Sequence, residues 1–240
     1  MVIIFIIFFV VFILIFIANI DQSDEQVEPG QKTKKFNQFE KNVTNQKETE
    51  IETETDYIGR LGEEKTEAIV SRIKECEYIL TNLYIPTAKG GETEIDLVAF
   101  TNRGLLVLET KNISGTIHGD EDSEQWYASL HSQNNFFYNP LKQNATHVKY
   151  LDREVVLNIP IYSIVVFSDR CSLEYLPDSF NDVYICQMST LRETIEEIFD
   201  ENPACVPSLV LSTVHSRLEK FTNVNAEVKR KHKEYVRSKH

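Results

Sequence analysis

The chain has 240 residues, room for one globular domain with appendages. Its 37 Asp and Glu against 25 Lys and Arg leave a formal net charge of −12, which excludes adhesion to nucleic acid by bulk charge alone. The four cysteines, Cys76, Cys171, Cys186 and Cys205, form no C-x-x-C pair and no Cys/His cluster with zinc spacing, so a zinc module is excluded and they read as small core residues.

Residues 1–20 are an almost unbroken apolar run with Asn19 as the lone polar residue. About 20 such residues cross a bilayer core. A cleaved signal peptide would want a basic start and a small-residue cleavage site, and neither is present. The expectation is an uncleaved, single-pass N-terminal transmembrane helix. Lys32, Lys34 and Lys35 follow it, and basic residues close to a span mark its cytoplasmic side, so the rest of the chain is expected in the cytoplasm. Residues 21–55 are polar, poor in aromatics and without apolar period, which reads as a disordered linker.

A folded core is expected over residues 56–170, followed by an α/β extension over 171–240 with a basic tail. Gly59 to Glu64 opens a helix whose apolar stripe, Leu61, Ala68, Ile69, Ile73 and Cys76, carries it to about Cys76. A strand follows over Tyr78 to Ile85, stopped by Pro86. Two apolar strands flank the turn Thr101-Asn102-Arg103-Gly104. Extended segments follow at Asn112 to Gly119 and Trp126 to Leu130. Asn139 caps a helix with Pro140 at its first position, running to Val155. Ile161 to Phe167 is a buried strand, Val183 to Cys186 a short one, and Leu191 to Phe199 a short helix. The tail from Arg217 to His240 has eight Lys and Arg against three Glu and reads as a last helix, either a solvated face or an auxiliary phosphate contact. Helix, strands, helix, strand implies an α/β sandwich with a mixed sheet.

The hairpin concentrates the chemistry. If it closes between Thr101 and Gly104, Asp96 lies opposite Glu109; closing one residue later moves Asp96 towards Lys111. Glu109 and Lys111 share a face by alternation. Their neighbours are apolar on both faces, so these charges sit in covered central strands where partners are obligatory. Two carboxylates and an ammonium at one level suit a divalent-metal site; a plain ion pair at the sheet edge is the competing explanation.

Gly59-x-x-Gly62-Glu63, Glu94-Ile95-Asp96, Glu109-Thr110-Lys111-Asn112, Gly115, Trp126 and Asn139-Pro140-Leu141-x-Gln143-x-x-x-His147 together resemble the nuclease-related domain (NERD) family over about residues 57–170. That family is similar to the PD-(D/E)XK restriction-endonuclease-like nucleases. The resemblance implies an α/β/α core with a central mixed sheet and magnesium-assisted phosphodiester hydrolysis, manganese being an alternative ion. Asp96 and Glu109 would be metal ligands, Lys111 would orient water or stabilise the phosphate, Glu63 would complete the acidic set, and Gln143 would line the site. Each has a plainer role available: Glu63 as a carboxylate favoured by the helix dipole, Gln143 as a hydrogen-bonded core residue, His147 as a packing histidine, Trp126 as core. Arg60, Arg103 and Lys142 lie near the motifs as candidate cleft cations.

Two functions follow. One is a membrane-anchored, metal-dependent nuclease with DNA as the expected partner. The other is a non-catalytic nucleic-acid-binding or assembly module tethered to the bilayer, suggested by the acidic balance.

Overall fold

The computed structural model describes residues 53–237, apart from 89, 178, 179 and 204. The expected anchor, residues 1–20, and all but the end of the expected linker lie outside the described residues. Among the described residues no helix is long and apolar enough to cross a membrane.

Helix α1 (Glu54–Val70) starts where Thr53 accepts a hydrogen bond from the Asp56 amide, with Glu54 and Asp56 in a first turn that favours negative charge. It ends six residues before Cys76, where a helix to Cys76 was expected. Ile73 and Cys76 still pack into the cluster beneath Val70, so the apolar spacing reports burial beyond the last helical turn. Strands β1 (Cys76–Pro86), β2 (Glu92–Thr101) and β3 (Gly104–Lys111) follow, then β4 (Gly115–His118), β5 (Gln125–Leu130) and β6 (Gln133–Tyr138). Helix α2 (Pro140–Val155) begins as expected, the Asn139 side chain accepting from the Leu141 amide at 2.9 Å. Then come β7 (Ile161–Phe167), β8 (Cys171–Ser172), β9 (Val183–Gln187), and helices α3 (Leu191–Glu201), α4 (Ser208–Leu218) and α5 (Ala226–Arg237).

The central sheet has the order β1-β2-β3-β7-β9. β1 pairs with β2 and β2 with β3 antiparallel, while β7 runs parallel to β3 and β9 parallel to β7. The mixed sheet is therefore as expected. Leu151 and Val155 of α2, with Leu211, Val214 and Leu218 of α4, cover one face. Val70 of α1, with Leu191, Ile195 and Ile198 of α3, covers the other. This α/β arrangement with helices on both faces fits a restriction-endonuclease-like core. β9 and α4 belong to it, so the C-terminal residues build the same sheet and core as the hairpin. A second sheet, β6-β5-β4-β8, packs Ile117 and Trp126 against Val165 and Phe167.

The β2–β3 turn closes in the tighter of the two ways open to it: Thr101 pairs with Gly104. Gly104 has φ 142°, and a Cβ there would stand 2.5 Å from the Pro160 carbonyl oxygen, so the position demands glycine. Gly62 is needed for a different reason. α1 crosses the end of β3 so closely that a Cβ at Gly62 would meet the Asn112 Cβ at 2.6 Å, whereas a Cβ at Gly59 would meet nothing within 4 Å.

The two helical glycines should therefore respond oppositely. Gly62→Ala is expected to destabilise the chain by about 1–3 kcal/mol through overpacking, and Gly59→Ala to stabilise it by up to about 1 kcal/mol through helix propensity. Urea denaturation reads both; shifts of the same sign would contradict the close crossing.

Candidate active site

The β2–β3 ladder runs from Thr101↔Gly104 to Leu97↔Leu108 and stops. Its register, extended one step, would set Asp96 against Glu109. The strands part there instead, and Asp96 Oδ2 accepts a hydrogen bond from the Thr110 amide at 2.8 Å. The strand itself turns over at this point. Ile95, Val98 and Phe100 belong to one core face and Leu97 and Ala99 to the other, so strict alternation fails across Asp96. On the other side Thr81↔Leu97 and Leu83↔Ile95 bracket Asn82, which has φ 53°. A left-handed Asn beside Asp96 marks the irregularity in β1 that lets both strands change face together.

β3 stays straight because β7 holds its far edge, Glu109↔Val165 through Lys111↔Phe167. Glu109 and Lys111 thus share a face, as alternation requires. Lys111 Nζ donates to Glu109 Oε1 at 2.7 Å and to Gln143 Oε1 at 3.0 Å. His147, one turn after Gln143 on α2, lies 3.1 Å from Glu109 Oε2 through Nε2 and 2.8 Å from the Thr93 hydroxyl through Nδ1. An ionised carboxylate only accepts, so Nε2 carries the hydrogen; in the neutral ring Nδ1 then accepts from Thr93. The carboxylate of Glu109 is 2% exposed and both its oxygens are engaged.

The electrostatics divide the carboxylates into two kinds. Burial works to raise Glu109, but Lys111 and then His147 outweigh it and hold the group below the ordinary carboxylate range. Burial works to lower Lys111, and Glu109 reverses that, so the ammonium is held more firmly than usual. Asp96 goes the other way. Burial, then repulsion from Glu109 and Glu63, pushes it well above its ordinary value despite the Thr110 amide. Glu63, projecting from α1, is pushed up to about 7 by burial and then by Glu94 and Glu109. Three carboxylates from three elements thus compete for one ammonium.

Crowded oxygen donors of this kind suit a hard divalent cation, which relieves their repulsion. Their present spacing is not a ready cage: among the described residues no three His, Cys, Asp or Glu stand positioned to hold an ion. The fit is one of donor chemistry: each oxygen of Glu109 accepts one hydrogen bond and keeps a further lone pair.

All five expected site residues, Glu63, Asp96, Glu109, Lys111 and Gln143, meet at this end of the sheet. His147 and Thr93 belong with them and were missed as partners of Glu109. Asn144, not a partner of Glu109, was missed as well: its buried side-chain amide donates to the Val107 carbonyl at 3.0 Å and the Ser163 hydroxyl at 2.9 Å, pinning α2 to the sheet. A signal existed: Asn144 falls within the apolar stripe of α2, between Leu141 and Leu151, where a polar residue must find a partner. Asn112 braces the strand end, donating to the Ile58 carbonyl at 2.6 Å and accepting from Arg170 at 3.0 Å. Trp126 is fully buried core, as expected. Arg103 occupies the turn at the opposite end of the hairpin, away from the site. Lys142 is half-buried and paired with the exposed Glu124 at 2.8 Å.

Residues 58–168 match the family model described as the nuclease-related domain. An uncharacterized protein of Bacillus anthracis is 24% identical over 184 residues, spanning 76% of this chain and 85% of the relative. No solved structure matches the chain. The match begins just inside α1, takes in Glu63, both hairpin strands and the Gln143–His147 turn of α2, and ends at Ser168 after β7: this stretch of the chain is similar to the nuclease-related domain.

Proposed function

We propose that the chain is a metal-dependent nuclease that hydrolyses phosphodiester bonds, with DNA as its substrate. The observation that carries this reading is the convergence of Glu63, Asp96, Glu109, Lys111 and Gln143 where β2 parts from β3, inside the stretch similar to the nuclease-related domain. Asp96 and Glu109 would hold magnesium or manganese, with Glu63 completing the acidic set. When bound, the ion would neutralise charge on the phosphate and acidify a coordinated water.

The protein side of the chemistry follows from the hydrogen bonds. Lys111 has three donors; Glu109 and Gln143 take two, leaving one for a phosphate oxygen or the attacking water. Gln143 aims the ammonium, and His147 with Thr93 fixes the rotamer of Glu109. The Thr110 amide orients Asp96. Residues 1–20 would anchor the chain in the bilayer with the domain on the cytoplasmic side, a placement supported by the apolar run and the lysines after it.

A second reading, a nucleic-acid-binding module without turnover, is favoured by one feature: Glu109 already has both oxygens satisfied by Lys111 and His147. Salt-dependent binding without cleavage would select it.

Cleavage is the direct test. The full chain in neutral detergent should nick supercoiled plasmid with magnesium or manganese and fail in EDTA. Asp96→Ala and Lys111→Ala should each lose about 10²–10³-fold in rate, the scale of removing one preorganised electrostatic group. A folded wild-type chain that cleaves no form of DNA or RNA would sink the nuclease reading.

Stability should depend on pH with a definite sign. Glu63 binds its proton more tightly when folded, so its stabilising share is complete below its ordinary value of 4.5 and is lost as pH rises through about 7. Asp96 acts in the same direction. Metal-free wild type should therefore weaken between pH 5 and 8. Glu63→Gln should flatten that fall and exceed wild type at pH 8 by about 2 kcal/mol. Magnesium at pH 8 should raise the melting temperature of wild type more than that of the variant. Parallel pH slopes in EDTA would refute the assignment.

A further inference from the structure

The chain is acidic almost everywhere except at its end. Residues 53–225 carry 14 Lys and Arg against 27 Asp and Glu, while residues 226–240 carry six against two. A nuclease with the first balance alone would repel its own substrate.

The structure sets the basic end beside the site. α5 packs against β2, the strand that bears Asp96. Lys229 Nζ lies 5.9 Å from the centre of the Tyr84 ring. Tyr84 faces Glu94 across the β1–β2 ladder, and its hydroxyl donates to that carboxylate. Glu94 in turn acts on Glu63. Two side chains therefore separate Lys229 from the carboxylate cluster. Further round the helix, Arg230 and Lys231 are 50% and 63% exposed and pair with Glu234 at 2.6 Å and Glu227 at 2.8 Å. Exposed pairs one turn apart are weak and screened by solvent, so an incoming phosphate can displace them.

We propose that α5 is the phosphate-backbone contact of this domain: Lys229, Arg230 and Lys231 hold a nucleic-acid strand beside the carboxylate site. The assignment rests on the nuclease reading and supplies what that reading lacks, a cationic surface where the polyanion must approach. An anionic membrane would also attract the helix, but lipid contact gives no reason for Lys229 to stand beside the site's own residues.

The test is binding of the full chain, in neutral detergent and EDTA, to a fluorescent DNA duplex of about 20 base pairs, its single strand and the corresponding RNA, read by anisotropy over a salt series. K229Q/R230Q/K231Q should lower affinity at least about tenfold and reduce the slope of log affinity against log salt by about 2–3, roughly one per lost phosphate contact. K229R/R230K/K231R should retain both values, and matching melting temperatures should show the glutamine variant folded. If wild type binds and the folded glutamine variant keeps its affinity and slope, the proposal falls while the nuclease reading stands. It falls alone, too, if wild type cleaves DNA without salt-dependent affinity. Wild type that neither binds nor cleaves any of these polymers overturns both. If the variant keeps its DNA affinity but loses a wild-type preference for phosphatidylserine-containing over phosphatidylcholine vesicles, the helix serves lipid and the proposal is wrong.

Discussion

The buried carboxylate of Glu109 is the constraint around which this domain is arranged. A charge only 2% exposed, in a strand flanked by β2 and β7, costs several kcal/mol unless it is paired. Lys111 satisfies one oxygen from two residues along the same strand, and His147 satisfies the other from α2. That pairing sets the rest. α2 must lie across this face with Gln143 and His147 one turn apart, Asn144 must anchor it to the sheet, and Thr93 must reach His147 from the start of β2. Charge neutralisation and helix docking are therefore one event.

The parting of β2 from β3 is the second half of the design. A regular ladder would hide Asp96 among paired strands. Instead the backbone changes face at Asp96, aided by left-handed Asn82, and the carboxylate caps the Thr110 amide. The opening admits Glu63 from α1, whose close approach depends on the missing side chain of Gly62. Repulsion among Glu63, Asp96 and Glu109 is the predictable consequence of that convergence. Such stored conflict is a common sign of a functional site, because a core built only for stability would have no use for it.

The remainder of the chain completes this core. β9 extends the central sheet and α3 and α4 cover its faces, while α5 carries positive charge to the side of β2. The strongly negative composition and the phosphate chemistry proposed for the site are reconciled by where the cations fall, since interactions between exposed charges fade over about 10 Å at ordinary salt.

Several features were legible in the residues themselves. The hairpin with its turn at Thr101–Gly104 and two possible closures, the shared face of Glu109 and Lys111, the Asn139 cap and the buried strand at Ile161–Phe167 all follow from period-two alternation, turn chemistry and capping, which act over a few residues. The five candidate site residues could be named because their motifs are local too. Other features belong to contacts between distant segments. The end of α1 at Val70, the face change at Asp96, the double engagement of Glu109 by Lys111 and His147, and the docking of the basic helix beside β2 each depend on which surface arrives opposite. Local sequence determined which side chains were available and which way a regular strand would point them; only tertiary packing decided where the strand stopped being regular and which charges had to share the space so opened.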